Sequence, residues 1–132
     1  MKIEVGIQVI SEICGCNPDI ISKKEVLGPL LDKIVEEVGL TVLTHRHHQF
    51  KPGGVTSFYM LAESHLALHT WPEYGYCALD IFTCGDRNKA LEASRRISKV
   101  LEAEDVKERV ISRGVEEFEQ KIKIKKAVTA FH

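Results

Sequence analysis

The chain has 132 residues, 44% hydrophobic and 28% charged, which fits one globular domain and excludes a disordered or fibrous chain. A formal net charge of -1 argues against nucleic acid as a main partner, because phosphate binding needs a basic excess. No apolar run approaches the roughly 18 residues of a membrane span, and Met-Lys-Ile-Glu-Val does not read as a signal peptide, so a cytoplasmic protein with no membrane partner is expected.

Lys2 to Ile13 carries Ile3, Val5, Ile7 and Val9 at period 2 and predicts a first strand. Cys14-Gly15-Cys16-Asn17-Pro18-Asp19 breaks it with turn residues. Four cysteines are too few for a secreted disulfide framework, so reduced thiols are expected, with Cys14 and Cys16 as small buried side chains. Leu30, Leu31, Ile34, Val35 and Val38 form one apolar stripe closed by Gly39, which predicts a main helix from Pro29 to Val38 after an irregular or helical turn.

Leu40 to Phe50 reads as a second strand, with His45 and His47 on one face and His48 beside them. Two imidazoles on one face can bind a metal, but no Asp, Glu or Cys stands at matching local spacing, so a solvated edge and no metal is expected. Val55 to Leu61 reads as a third strand with Ser64 to Trp71 as its extended continuation, and Tyr74-Gly75-Tyr76 starts a further strand through Phe82; Gly53-Gly54 and Pro72 punctuate them. Asp86 fits the N-cap of a second helix whose apolar face is Ala90, Ala93, Ile97, Val100 and Leu101. Val106 to Val115 predicts a last strand, and Lys121 to Lys126 an edge strand or charged tail.

The order β-α-β-β-β-α-β predicts an α+β fold, a two-layer α/β sandwich with an antiparallel-rich sheet and two helices on one face. Two helices cannot cover both sheet faces, so a second copy of the chain is expected on the other.

Reactive groups concentrate between Glu63 and Gly85. Ser64 with His69, or Cys84 with a histidine, contains the elements of a nucleophile and its base, but no Gly-x-Ser-x-Gly elbow surrounds Ser64 and no third orienting residue stands out. Two strands with incidental polar residues remain possible from these positions alone. The longer pattern is more specific: Phe50, Pro52, Gly54-Val55-Thr56, Ala62-Glu63-Ser64-His65, His69-Thr70-Trp71-Pro72-Glu73, Gly75-Tyr76, Asp80 and Phe82-Thr83-Cys84-Gly85.

That pattern resembles the prokaryotic S-adenosylmethionine decarboxylases, closely over residues 48–86 and loosely over the N-terminal half. The resemblance implies that the chain cuts itself into 1–63 and 64–132, and that Ser64 becomes a covalent pyruvoyl group, with neither pyridoxal phosphate nor a metal required. Ser64 would attack the Glu63 carbonyl, and the pyruvoyl group would form a Schiff base with the substrate amine. By the same resemblance His69 transfers a proton during processing, Thr56 (where the family usually has Ser) assists it, and Cys84 donates the proton after decarboxylation. Glu73 is implied at the substrate ribose and Phe50 at its adenine, in a homodimer of processed protomers. The chain departs from the family at Gly6-Ile7-Gln8, where Gly-x-His is usual, at Ser57, usually Gly, and after Val106, where it matches poorly. Two alternatives stay open: a pyruvoyl-dependent arginine or ornithine decarboxylase, and a non-catalytic metal-binding module using His45, His47 and Cys14.

Overall fold

Period-2 burial is the first organising feature. Along Val55–Leu61 the residues Val55, Ser57, Tyr59 and Leu61 are buried, while Phe58 and Met60 are exposed. One face of the sheet is therefore packed under helices and the other is open. The computed structural model describes residues 2–116. Its strands are β1 (Lys2–Cys14), β2 (Val42–Gln49), β3 (Val55–Leu61), β4 (Ser64–Trp71), β5 (Tyr76–Thr83) and β6 (Asp105–Glu116). They form one sheet in the order β2-β3-β4-β5-β1-β6, and every neighbouring pair is antiparallel.

Helices α1 (Pro18–Ile21), α2 (Lys24–Val38) and α3 (Arg87–Val100) contribute to a core that joins Leu27, Leu31, Val35, Ala93 and Ile97 to Val9, Leu66, Leu79 and Ile81 of the sheet. Each fully buried Leu or Ile contributes about 1.5–3 kcal/mol relative to exposure. The two-layer sandwich with its antiparallel sheet is as expected; the extended continuation Ser64–Trp71 turns back as a strand of its own, giving six strands among the described residues, and α1 and a short 3-10 turn at Pro72–Tyr74 are added. Among the described residues no helix is long and apolar enough to cross a membrane.

The main helix begins earlier than Pro29. It starts at Lys24, and Pro29 lies inside it. No side chain of its own N-terminal segment caps it. The cap comes from β2 instead, where Gln49 Oε1 accepts the Lys24 N–H at 2.7 Å. The stop is as expected, with Gly39 in the left-handed region at φ +88°. Asp86 caps α3 through its side chain, which accepts the Asn88 N–H at 2.8 Å. All four cysteines are free; Cys16 is buried as expected, but Cys14 is only half-buried, while Cys77 is buried and Cys84 exposed. The Lys121–Lys126 segment lies outside the described residues.

Candidate active site

Antiparallel pairing of β3 with β4 sets Leu61 opposite Ser64, leaving Ala62 and Glu63 as a two-residue turn. The turn is fastened from the loop before β2. The Ala62 N–H donates to Thr41 O at 2.8 Å, and the Glu63 carboxylate accepts the Thr41 N–H at 3.1 Å and its hydroxyl at 3.0 Å. Burial pushes the Glu63 carboxyl pKa up, but the Thr41 donors and the charge of Lys89 outweigh it, so it titrates below its ordinary value.

Ser64, next in the chain, has φ +152°, a backbone angle ordinarily left to glycine. The carbonyl that precedes it is held by one residue from β5's far end. Cys84 donates its backbone N–H to Glu63 O at 3.0 Å and its thiol to the same oxygen at 3.1 Å. The flanking residues make this approach possible. Buried Thr83 accepts the Gly85 N–H through Oγ1 at 2.9 Å, and a Cβ on Gly85 would stand 2.9 Å from Glu63 Cγ. Thr-Cys-Gly is thus a hydrogen-bonded turn, two donors and the space that the Glu63 side chain occupies.

A second group gathers at the other end of β4. Thr56 pairs with His69 across the β3–β4 ladder, and Thr56 Oγ1 lies 3.0 Å from His69 Nδ1. They line a cleft of about 380 Å³ together with Phe50, Gly54, Trp71 and Glu73. Glu73 enters from the 3-10 turn that Pro72 starts, and Trp71 is stacked on Tyr76 at 5.5 Å. Phe50 is half exposed and meets His48 edge-on at 4.7 Å.

The sequence-predicted residues therefore form two groups. Glu63, Ser64 and Cys84 are together; Phe50, Thr56, His69 and Glu73 are together. At about 3.3 Å per residue, five residues of extended strand separate Ser64 from His69 by roughly 17 Å. Within one chain they do not meet. His65, which carried no assigned role, lies on the open face between Phe58 at 5.9 Å and Phe82 at 6.1 Å, and Arg113 covers the Phe82 ring. Sequence reasoning missed Thr41, which lies 22 residues before Glu63 and carries no motif.

Both groups fall within the stretch that matches a family model. Residues 7–114 match the model described as S-adenosylmethionine decarboxylase. The chain belongs to the S-adenosylmethionine decarboxylase family. It is 42% identical over 114 residues to the S-adenosylmethionine decarboxylase proenzyme of Picrophilus torridus, covering 86% of this chain and 88% of that one. It is 39% identical to the proenzyme of Archaeoglobus fulgidus, covering 83% of this chain and 98% of that one. The crystal structure of the adenosylmethionine decarboxylase from Aquifex aeolicus superposes with a TM-score of 0.81 at 34% identity, over 88% of this chain and 96% of that one. The decarboxylase family match continues past Val106 to residue 114, through most of β6, farther than the sequence pattern alone reached. At the departure in β1, Gln8 accepts from Arg113 at 3.0 Å and donates to Asp80 at 3.4 Å, tying β1 to both neighbouring strands.

Proposed function

We propose that the chain decarboxylates S-adenosylmethionine through a pyruvoyl group made from its own Ser64, at active sites shared between two copies. The observation that carries this reading is the Glu63 carbonyl oxygen, held by the Cys84 amide and thiol beside a serine of unusual φ. Membership of the S-adenosylmethionine decarboxylase family gives the substrate. The products are carbon dioxide and decarboxylated S-adenosylmethionine, the aminopropyl source for spermidine and other polyamines.

Processing starts when Ser64 Oγ attacks the Glu63 carbonyl carbon. Negative charge then builds on the oxygen that Cys84 already holds; a preorganised amide donor lowers such a barrier by about 2.7–4 kcal/mol, and the thiol adds a weaker one. The strained backbone at Ser64 adds about 1–3 kcal/mol that is released as the amide opens. The C–N bond breaks, the nitrogen takes a proton, and an ester joins Glu63 to Ser64 Oγ. A base next removes the Ser64 α-proton; those electrons form Cα=Cβ as the Cβ–O bond breaks, and Glu63 leaves as a free carboxylate. The dehydroalanine left at position 64 tautomerises, adds water and loses ammonia, which leaves a keto group heading residues 64–132.

The base is His69 of a second copy. In one chain it is roughly 17 Å from Ser64, and its parity on β4 is that of the open face. That face carries exposed Phe58, Met60 and Ile111, apolar area that suits a second sheet. In the tautomer whose Nδ1–H donates to Thr56 Oγ1, Nε2 keeps the lone pair that a base needs. Each site of the homodimer thus combines Ser64 and Cys84 of one chain with Thr56, His69, Phe50 and Glu73 of the other.

The pyruvoyl group supplies a carbonyl that captures the substrate amine and accepts the electrons released with carbon dioxide. Cys84 has a second task at that stage. Once Glu63 has left as a carboxylate, the thiol loses the carbonyl it was donating to and faces position 64, placed to protonate the substrate carbon. Phe50 stacks on adenine, and Glu73 accepts from the ribose hydroxyls. Carbon dioxide release should be measured from S-adenosylmethionine, arginine and ornithine in parallel. Release from S-adenosylmethionine alone is expected; turnover of arginine or ornithine with none of S-adenosylmethionine would overturn the substrate assignment.

A further inference from the structure

On the helix-covered side of the sheet, at the β2 edge, the structure supplies what the sequence lacked beside His45 and His47. The carboxylate comes from α2. Asp32 Oδ1 lies 3.0 Å from His47 Nε2 and 3.9 Å from His45 Nε2, and the three ligand atoms all fall within 4.8 Å of one another. Two imidazoles and one carboxylate, drawn from two elements, converge on one point.

The groups behind them fix their orientation. His47 Nδ1 is 2.7 Å from Ser57 Oγ, a fully buried hydroxyl, which turns Nε2 towards Asp32. A Cβ at Gly28 would stand 3.1 Å from His47 Cδ2, so the glycine inside α2 makes room for that ring. The Tyr59 hydroxyl donates to Asp32 Oδ1 at 2.6 Å and holds the carboxylate. His45 lies flat on the Tyr59 ring, with centroids 5.5 Å apart and planes 11° apart. A ligand ring held by a hydroxyl and a carboxylate held by a phenol match the outer shell that metal sites usually carry. Among the described residues the His45 side chain makes no hydrogen bond, and the Asp32 carboxylate oxygen is 3.9 Å from its Nε2.

We propose that Asp32, His45 and His47 bind a divalent transition-metal cation of the zinc class, stapling α2 to the edge strand β2. Nitrogen and carboxylate ligands suit borderline cations, and three protein ligands leave a coordination position for water from the clefts that flank Asp32 and His45. No such carboxylate is legible near the two histidines in the chain, because Asp32 lies 13 residues before His45, on a different element.

The test uses tag-free protein stripped of metal, with Zn²⁺ followed by calorimetry and Co²⁺ by visible absorption. Wild type should take up one equivalent per chain, with a Co²⁺ spectrum of nitrogen and oxygen ligation and a higher unfolding temperature. His45→Ala leaves the Asp32–His47–Ser57 hydrogen bonds in place, so it should fold with wild-type stability when metal-free. It should bind Zn²⁺ about 10–100-fold more weakly and lose the Co²⁺ signal. Asp32→Asn, which still accepts from Tyr59, should show the same loss. Wild type without stoichiometric binding, or equal affinity in wild type and both variants, would overturn the proposal and leave a hydrogen-bonded clamp.

Discussion

The thiol and the backbone amide of Cys84 converge on a single atom, the carbonyl oxygen of Glu63, at 3.1 and 3.0 Å. In the proposed mechanism this one residue supports bond cleavage before the cut and donates a proton after it. The amide half of this arrangement survives any substitution at position 84 but proline, while the thiol half does not.

Cys84→Ala is therefore predicted to cut between Glu63 and Ser64, more slowly than wild type but to completion. Its decarboxylation should fall by about 10²–10⁴, the usual effect of removing a positioned general acid. Stalled reprotonation should also divert some turnovers to protonation at position 64, leaving alanine there and inactivating the enzyme. Chain pattern and carbon dioxide release, followed together, check this. A processed Cys84→Ala with full turnover would pass the acid's role to another group.

The Glu63 anchor predicts a pH dependence. Its carboxyl pKa is lower in the folded chain than in the unfolded one, so its contribution to stability is present above about pH 4.3 and is lost as pH falls through the folded value. In an uncut Ser64→Ala background, Thr41→Val removes one donor to that carboxylate and should lower the unfolding temperature at neutral pH. The gap should close on acidification. A gap of the same size at pH 7 and well below pH 4 would show that Thr41 acts by packing alone.

In the cleft, Phe50→Ala and Glu73→Gln should raise KM and leave processing intact. Loss of one aromatic stacking surface weakens base binding by about 1–3 kcal/mol, or roughly 5–150-fold in KM. Steady-state kinetics on fully processed protein give the answer. Unchanged KM in both variants would place the adenosyl group elsewhere.

Much of this was legible in the chain. Alternation between Val55 and Leu61, with Gly54 before it and Pro72 closing β4, marks the central strands because burial on one face demands period 2. The start of α2 was not legible. Gly28-Pro29 reads as a break, yet the glycine makes room for the His47 ring and the cap is a side chain 25 residues away. The site was legible as residues and not as geometry. Ser64 and His69 look adjacent at a spacing of five, but an extended strand turns that spacing into roughly 17 Å. Thr41 and Asp32 gave no signal, since each meets its partners only through tertiary contacts.

The shared site is the central claim, and pairing two defective chains tests it most directly. Alone, Ser64→Ala should stay uncut, and His69→Ala should stall at the ester, where hydroxylamine releases the two fragments. Co-expressed with distinct tags and purified as the mixed dimer, the Ser64→Ala chain supplies His69 to its partner's intact Ser64. Denaturing mass spectrometry should then show the His69→Ala chain cut into 1–63 and 64–132, the Ser64→Ala chain whole, and decarboxylase activity restored. A verified mixed dimer in which neither chain is cut, or a His69→Ala dimer that cuts at the wild-type rate, would contradict the account.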